Sequence, residues 1–301
     1  MVSFLGWVAL AACASKDTIV KETGEAEPAL EDQFSFVVMA DPHIAGVGDH
    51  VDRLHATVGW INTNAVADDL AFVLIVGDIA WGDGLEKITP ILEELDIPYV
   101  PIIGDNVIQV GDEEKFETVF SAQYQRLSGQ LDNWRQAPVM MDNPDILAPS
   151  WLQNIAFQYN GVHFFGLDWC TRHVGGVFGE MADLHDFDSG TLPWLQAELS
   201  GLPAGVSDDV IFVSHHPMHL SPGAFDAAEM ETLLGTINPS LERVYANIAG
   251  HYHINYEASV EGGYDLFVTD AIHDDENMLR IVSVRQDASG TAYVHTLVTI
   301  E

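Results

Sequence analysis

Five short apolar runs in this chain each end in aspartate, asparagine or histidine. The runs occupy residues 36–40, 71–76, 98–103, 210–213 and 244–249. Runs of this length are too short for most helices and have the length of strands that are buried on both faces. Apolar residues at helical spacing lie between the early runs, at residues 51–61, 85–95 and 116–124. Strands that alternate with helices predict a layered α/β domain with parallel strands.

The polar residues that follow these runs are of the kinds that bind metal ions. In chain order they are Asp41 and His43, Asp78, Asp105 and Asn106, His215 and His216, and His251 and His253. Ligands of open α/β sheets bind at the carboxyl ends of the strands, so these side chains are expected to converge. In extended backbone, residues i and i+2 point the same way, so the imidazoles of His251 and His253 can face one pocket. Carboxylates and imidazoles together suit two transition-metal ions that share one carboxylate.

The order and spacing of these clusters resemble the motifs of the calcineurin-like metallophosphoesterases. The matching segments are Asp41-x-His43, Gly77-Asp78, Gly104-Asp105-Asn106, His215-His216-Pro217 and Gly250-His251-x-His253. The resemblance implies a four-layer α/β/β/α sandwich of two mixed sheets, which we expect over residues 34–301. It also implies that a metal-bridging hydroxide hydrolyses a phosphate mono- or diester, without a covalent enzyme intermediate.

The same resemblance implies a ligand set for two divalent or trivalent metal ions. The ligands implied for the first ion are Asp41, His43, Asp78 and His253. Those implied for the second ion are Asp78 as the bridge, His215, His251 and a residue of the third motif. Imidazole with carboxylate serves Mn, Fe and Zn alike, so we expect one or two of these three metals.

The third motif departs from the family, whose usual form is Gly-Asn-His. Direct alignment places Asp105 at the metal-binding asparagine, and a shift of one residue would make Asn106 the ligand instead. An anionic Asp105 ligand is expected to tighten metal binding and to lower the net positive charge of the site. Direct alignment also places Asn106 at a family histidine that assists the leaving group, and asparagine is not an acid.

Losing a general acid typically lowers the rate by about 10²–10⁴-fold, and three consequences stay open. Another residue supplies the proton, and the candidates are His216, His219, His185 and Tyr252. Alternatively, the substrate has a leaving group that needs no proton. In the third case the chain is a catalytically weakened metal-binding module on the same fold. We therefore name Asn106 and His216 as candidate catalytic residues, and expect His216 to pack behind the ligands.

Several other polar residues are expected to be structural or solvated. His173 and His185 are predicted to be loop histidines in contact with water, and Asp168 to be structural. Residues 273–276 are predicted to form an exposed turn. Residues 127–155 read as a long surface loop or insertion and residues 171–190 as another loop, and substrate specificity would lie in such loops. The segments at 264–269, 279–284 and 291–300 predict a β-rich end of the chain.

The charge balance limits the kinds of partner. The chain has 11 Lys and Arg against 46 Asp and Glu, which gives a formal net charge of -35. Binding of nucleic acid by charge neutralisation is excluded, and so is attraction to anionic lipid headgroups. The acidic residues are expected to form a solvated surface.

The first residues read as a leader. An apolar run too short to span a membrane precedes Leu10-Ala11-Ala12-Cys13, which resembles a bacterial lipoprotein signal over residues 1–14. In such signals the cysteine becomes the lipidated first residue; the alternative is an ordinary cleaved signal peptide. Residues 15–33 lack periodicity and predict a flexible tether. We expect an exported cell-envelope lipoprotein on the periplasmic or surface side, anchored at Cys13, in which Cys170 forms no intramolecular disulfide.

Overall fold

Two mixed β-sheets face each other in the computed structural model, which describes residues 32–45, 49–172, 181–221, 223–260, 263–273 and 276–300. The five-stranded sheet consists of β1 (Asp32–Met39), β2 (Leu70–Val76), β3 (Tyr99–Ile102), β13 (Asn277–Asp287) and β14 (Gly290–Ile300). Its order is β14-β13-β1-β2-β3, with β1, β2 and β3 parallel and the other two pairs antiparallel.

The second sheet has seven strands. They are β4 (Asp132–Gln136), β7 (Ile155–Tyr159), β8 (Val162–Leu167), β9 (Val210–Ser214), β10 (Val244–Ala249), β11 (Tyr256–Ser259) and β12 (Asp265–Val268). Their order is β11-β12-β10-β9-β8-β7-β4, and β8, β9, β10 and β12 run parallel. A separate hairpin pairs β5 (Met140–Asn143) with β6 (Ala148–Trp151).

Helices cover the outer faces of the two sheets. The α-helices are α1 (His50–Asn64), α2 (Gly84–Leu92), α3 (Asp105–Gln109), α4 (Glu113–Leu127), α5 (Thr191–Ser200) and α6 (Ala227–Ile237), and a 3₁₀ helix spans Asn238–Arg243. Leu195 of α5 and Leu233 of α6 pack with Phe165 and Phe212 on the outer face of the seven-stranded sheet. Leu54 of α1 belongs to the core of the five-stranded sheet. The four-layer sandwich is therefore confirmed. None of the described helices has both the length and the apolar composition that a membrane span needs.

Aromatic rings fix the two sheets against each other. Phe36 of β1 stacks on Phe72 of β2 with ring centroids 5.4 Å apart, and Phe164 of β8 meets both rings edge-on at 5.4 Å. All three side chains are fully buried. Burying one such ring contributes about 1.5–3 kcal/mol, and the ring pairs add directional contacts. This packing fixes how the strand ends of one sheet face those of the other.

Residues 127–155 are more ordered than the predicted surface loop, and that prediction is wrong. They contain β4 and the β5–β6 hairpin, and β4 pairs antiparallel with β7. The sequence of β4, Asp-Asn-Trp-Arg-Gln, is poor in strand-forming residues, and its position at the sheet edge leaves it largely exposed. Tertiary pairing has overridden local propensity here.

β1 begins at Asp32, two residues ahead of the predicted domain start. Residues 1–31, with the predicted leader and most of the predicted tether, lie outside the described part of the chain.

Candidate metal centre

The carboxyl ends of five strands bring acidic and imidazole side chains to one place. Asp41 follows β1, Asp78 follows β2, and Asp105 begins α3 three residues after the end of β3. From the facing sheet, His215 follows β9 and His251 follows β10. Asp41, Asp78, Asp105 and His215 are each exposed by 4% or less. Three carboxylates that deep in a protein require positive charge beside them.

Asp78 lies at the middle of this cluster. Its Oδ2 is 3.2 Å from Nε2 of His43, and its Oδ1 is 3.6 Å from Nε2 of His215. The two oxygens of one carboxylate therefore face two different imidazoles, which belong to different sheets. This is the arrangement expected of a carboxylate shared between two neighbouring cations.

The side chains form two groups around Asp78. Asp41, His43 and Asp78 make the first group, and Asp105, His215 and His251 make the second; in each, the candidate ligand atoms lie within 4.8 Å of one another. His253 adjoins the first group, with Nε2 3.6 Å from Oδ1 of Asp41. All seven residues expected to bind metal thus come together.

Contacts of both ring nitrogens fix the orientation of the His215 side chain. Its Nδ1 lies 3.1 Å from the carbonyl oxygen of Val76, and its Nε2 lies 3.1 Å from Oδ1 of Asp105. A carbonyl accepts only, so Nδ1 carries the proton and Nε2 faces the carboxylates. Metal-binding histidines typically donate their second N–H to such an acceptor.

Glycines let these elements approach closely. A Cβ on Gly104 would clash with the backbone nitrogen and Oδ1 of Asp78. A Cβ on Gly250 would lie 2.5 Å from Oδ2 of Asp41. Each of these two glycines directly precedes one candidate ligand in the chain. Each also leaves space for a second candidate ligand that follows a different strand.

The backbone at the centre is held in a costly conformation. Asp41, His43, Asp78, His251 and His253 all have left-handed φ angles, between 43° and 71°. Each such non-glycine residue costs on the order of 1–3 kcal/mol and persists only where its surroundings fix it. Strain of this kind clusters at active sites and ligand clamps. Its concentration on five candidate ligands supports a functional role for the cluster.

The charges of the cluster are strongly interdependent. Burial raises the pKa of Asp78, but the neighbouring imidazoles of His215 and His43 outweigh it and lower that pKa to about 2. Burial lowers the pKa of His215, but Asp78 and Asp105 reverse the effect and raise it to about 10. Burial and the neighbouring His215 lower the pKa of His251. A second proton, on Nε2 of His215, therefore balances the charge of the carboxylates, and a cation that binds to Nε2 would displace it.

The donor set fits two transition-metal ions. Three buried carboxylates and four imidazoles converge from both sheets, which suits borderline cations such as Mn, Fe and Zn. Nε2 of His43 is buried and has no hydrogen-bond partner among the described residues, although it faces the carboxylate of Asp78. A cation between these two groups would satisfy both.

Asp105 and Asn106 have different places in the third motif. Asp105 belongs to the second group, and its Oδ2 accepts a hydrogen bond of 2.9 Å from Nε2 of Gln109. Asn106 donates its backbone N–H to Oδ1 of Asp78 at 2.9 Å and its side-chain amide to Oδ2. The geometry favours Asp105 as the candidate ligand and gives Asn106 the task of orienting Asp78.

The candidate proton donors differ in burial and in their distance from the candidate metal ligands. His216 is fully buried, with Nδ1 3.6 Å from Sγ of Cys170 and its ring 4.4 Å from that of His251. Tyr252 is half-buried, 5.4 Å from the His251 ring. The prediction that His185 is solvated is wrong, because it is 1% exposed and its Nε2 lies 3.0 Å from the carbonyl oxygen of Cys170. His173 lies outside the described residues.

Sequence reasoning missed one histidine beside the centre. His273 was expected in an exposed turn, yet its ring stacks on His43 at 4.0 Å and meets His253 at 4.8 Å. No local signal marks it, because it follows no uninterrupted apolar run. By contrast, Asp168 is structural as predicted: it is fully buried and accepts two hydrogen bonds from the guanidinium of Arg172.

Comparison with known proteins places this geometry in context. The sequence profile described as calcineurin-like phosphoesterase matches residues 34–255. Among solved structures, a dimetal phosphatase from Danio rerio is 16% identical, with 89% of this chain and 99% of that chain covered and a TM-score of 0.56. A candidate 5'-nucleotidase from Staphylococcus aureus, in complex with alpha-ketoglutarate, is 13% identical, with 89% and 54% covered and a TM-score of 0.51. No curated protein matches the chain. At these identities the structures show a shared fold.

Proposed function

The chain belongs to the calcineurin-like phosphoesterase family, and on that premise we propose that it hydrolyses phosphate mono- or diesters with two transition-metal ions. The observation that carries the proposal is the position of Asp78. One carboxylate oxygen faces His43 and the other faces His215, so that Asp78 joins the two groups of candidate ligands. A phosphate-ester substrate would meet the centre where these groups adjoin.

The residues divide between two cations. The first would be held by Asp41, His43, Asp78 and His253. The second would be held by Asp78, Asp105, His215 and His251. When bound, two such ions polarise phosphoryl oxygens, supply an acidified water and stabilise in-line displacement. The candidate metals are Mn, Fe and Zn, each divalent or trivalent as its chemistry allows.

Residues behind the ligands maintain this arrangement. Asn106 donates two hydrogen bonds to Asp78 and so orients the shared carboxylate. His216 packs its ring against His251 and interacts through Nδ1 with Sγ of Cys170. Asn106 cannot protonate a leaving group. We therefore expect the preferred substrates to carry a leaving group that departs as a stable anion, or to take their proton from His216 or Tyr252.

The test is hydrolysis of a nitrophenyl phosphate monoester and the matching diester by the full chain, with added Mn²⁺ and with chelator. Asp78→Ala should lower metal-dependent turnover by more than about 100-fold, the upper range for residues that only orient ligands. Asp68→Ala, at an exposed aspartate between α1 and β2, is the matched control and should leave turnover unchanged. Circular dichroism should show both variants folded. Turnover that survives in Asp78→Ala would contradict the proposal.

The same departure at Asn106 favours a second candidate, a metal-binding module with little catalysis. The two candidates differ in one result, since a module would bind two equivalents of Mn²⁺ and hydrolyse neither ester. In that case Asn106→His is assayed on an alkyl phosphate, whose leaving group needs a proton, because a missing acid does not explain failure on the nitrophenyl esters. Turnover gained by this variant would show an intact centre that lacks its acid, and continued inactivity would favour the module.

The location of the protein is a separate proposal. Its support is the sequence Leu10-Ala11-Ala12-Cys13 after a short apolar run. The protein would be exported and lipidated at Cys13, with residues 15–31 as a tether between the envelope and the domain, since β1 begins at Asp32. Expression in a bacterium fed with labelled palmitate should label the chain and not its Cys13→Ser variant. Equal labelling of both would contradict the anchor, and an unlabelled, shortened chain would indicate an ordinary signal peptide.

A further inference from the structure

We propose that His273 is an additional ligand of the cation held on the Asp41–His43–Asp78 side of the centre. The inference rests on the metal centre of the proposed function and extends it by one residue. His273 lies 18 positions beyond the end of the family match at residue 255. Its assignment therefore comes from the tertiary structure.

The backbone brings His273 to the centre through a contact outside the regular strands. Ala271 forms a parallel bridge with Ala40, and the backbone N–H of Ile272 donates to the carbonyl of Ala40 at 3.0 Å. Ala40 directly precedes Asp41. This short pairing joins the end of the five-stranded sheet to the chain that follows β12 of the other sheet, and it places His273 beside the first group of candidate ligands.

The imidazole of His273 lies against two candidate ligands at once. Its ring is nearly parallel to that of His43, with a centroid distance of 4.0 Å and an angle of 13°. It meets the ring of His253 almost perpendicularly, at 4.8 Å and 87°. One ring nitrogen from each of the three residues lies within 4.8 Å of the other two. Bonds from a cation to imidazole nitrogen are about 2.0–2.1 Å long, so the binding of one cation by all three residues would bring their nitrogens to within about 4.2 Å of one another.

A hydrogen bond fixes which nitrogen of His273 would bind. Nδ1 lies 2.8 Å from the carbonyl oxygen of Asp41. Because a carbonyl only accepts, Nδ1 carries the proton in the neutral ring and Nε2 carries the lone pair. His215, a candidate ligand of the second ion, is oriented in the same way by the carbonyl of Val76. Donation of the second N–H to a backbone carbonyl is the usual support of a metal-binding imidazole.

A fifth donor would change the properties of the first site. His273 adds a neutral imidazole to the set of Asp41, His43, Asp78 and His253. More imidazole donors favour Fe, Zn and similar ions over Ca and Mg, which prefer oxygen. His43 is 14% exposed and His253 29% exposed at the side chain, so this imidazole cluster lies at the open edge of the centre. His273 would then tighten the more accessible of the two sites.

Two substitutions separate ligation from orientation. His273→Asn places an amide N–H near the position of Nδ1, so it can keep the hydrogen bond to Asp41 but has no donor at Nε2. His273→Gln places its amide near Nε2 and loses that hydrogen bond. His55→Ala is the control, because His55 is an exposed imidazole on α1 that pairs with Glu94.

The measurement is titration of the chelator-stripped full chain with Zn²⁺ by calorimetry. We expect two equivalents for wild type and for His55→Ala, and weakening of one of them by at least about 10–100-fold in His273→Asn. Wild-type affinity in His273→Asn with weakening only in His273→Gln would overturn ligation and leave His273 orienting Asp41. Unchanged affinity in both variants would overturn the inference and leave the proposed function intact. A wild-type chain that binds no cation would overturn both.

A second measurement uses the unaltered protein and does not depend on the folding of a variant. In the Co²⁺-loaded chain, each ligating imidazole that keeps an N–H gives one exchangeable, strongly shifted proton resonance. His43, His215, His251 and His253 account for four such resonances, and His273 would add a fifth. Five resonances, one of which disappears in His273→Asn, support the inference; four in wild type overturn it.

Discussion

Asn106 holds Asp78 by two hydrogen bonds, one from its backbone N–H to Oδ1 at 2.9 Å and one from its side-chain amide to Oδ2. Asn106 therefore contacts the carboxylate that joins the two groups of candidate ligands. Each carboxylate oxygen of Asp78 therefore accepts one hydrogen bond from Asn106. This relationship makes the third motif the first place to test how the centre works.

Asn106→His should separate loss of acid catalysis from loss of the centre. An added imidazole can protonate a poor leaving group, so hydrolysis of an alkyl phosphate should rise by up to about 10²–10⁴-fold. Hydrolysis of a nitrophenyl phosphate should change little, because its leaving group departs as an anion. The measurement is the ratio of kcat/KM for the two substrates. An equal change for both would show that Asn106 acts through the orientation of Asp78 alone.

Asp105→Asn should weaken the binding of metal ions and strengthen the binding of anions. The variant removes one negative charge 3.1 Å from Nε2 of His215 and keeps a side-chain oxygen at the same place. Coulomb interactions at such distances amount to between about 1 and 4 kcal/mol, so we expect metal binding to weaken by tenfold or more. Inhibition by inorganic phosphate should become stronger in the same variant. Gln109→Ala, which removes the hydrogen bond to Asp105 without a change of charge, is the control.

Gly104→Ala should damage the centre more than the fold. The new Cβ would clash with the backbone nitrogen and Oδ1 of Asp78, which are held by neighbouring strands. Overpacking of this kind costs about 1–3 kcal/mol of unfolding free energy, and the shift of Asp78 should lower metal affinity. Gly59→Ala in α1 has open space around the added methyl and should stabilise the chain by about 0.5–1 kcal/mol. Urea unfolding and metal titration of both variants provide the test, and unchanged metal binding in Gly104→Ala would contradict it.

His295 should make the protein sensitive to acid. Burial, reinforced by Arg280, lowers the pKa of His295 to about 4, whereas an unfolded histidine titrates near about 6.5. Between these two pKa values, His295 is protonated in the unfolded chain and neutral in the folded chain. This term is absent above about pH 6.5 and lowers stability as the pH falls towards about 4, by on the order of 1–3 kcal/mol.

His295→Phe isolates that contribution. The variant keeps a ring to stack on Phe267, from which the imidazole is 3.8 Å away, and loses the contact with the hydroxyl of Tyr245. Unfolding free energies of both proteins should be measured from pH 8 to pH 4, since many carboxylates also titrate in this range. The difference between the two proteins should shift in favour of His295→Phe as the pH falls. A difference that does not vary with pH would rule out His295 as the source.

Much of the fold could be predicted because its signals are local. Strand β10 has the bounds predicted from its apolar run, and the helices α1, α2 and α4 lie where apolar spacing places them. α6 was overlooked although Asp226 and Glu229 form a capping box at its start. That pattern is readable in sequence, so α6 was a missed signal. The β5–β6 hairpin differs, since its short strands, Met-Met-Asp-Asn and Ala-Pro-Ser-Trp, show no alternation of apolar and polar residues.

The sequence by itself determined which residues stand at strand ends, because the change from apolar run to polar residue is a local pattern. It therefore indicated the family, the sandwich and the set from Asp41 to His253. Only the tertiary structure decided how these residues meet. The packing of Phe36 and Phe72 against Phe164 sets two sheets face to face and puts Asp78 between His43 and His215. The bridge of Ala271 with Ala40 brings His273 to the same point, and a backbone contact between residues 231 positions apart leaves no periodic trace in a single sequence.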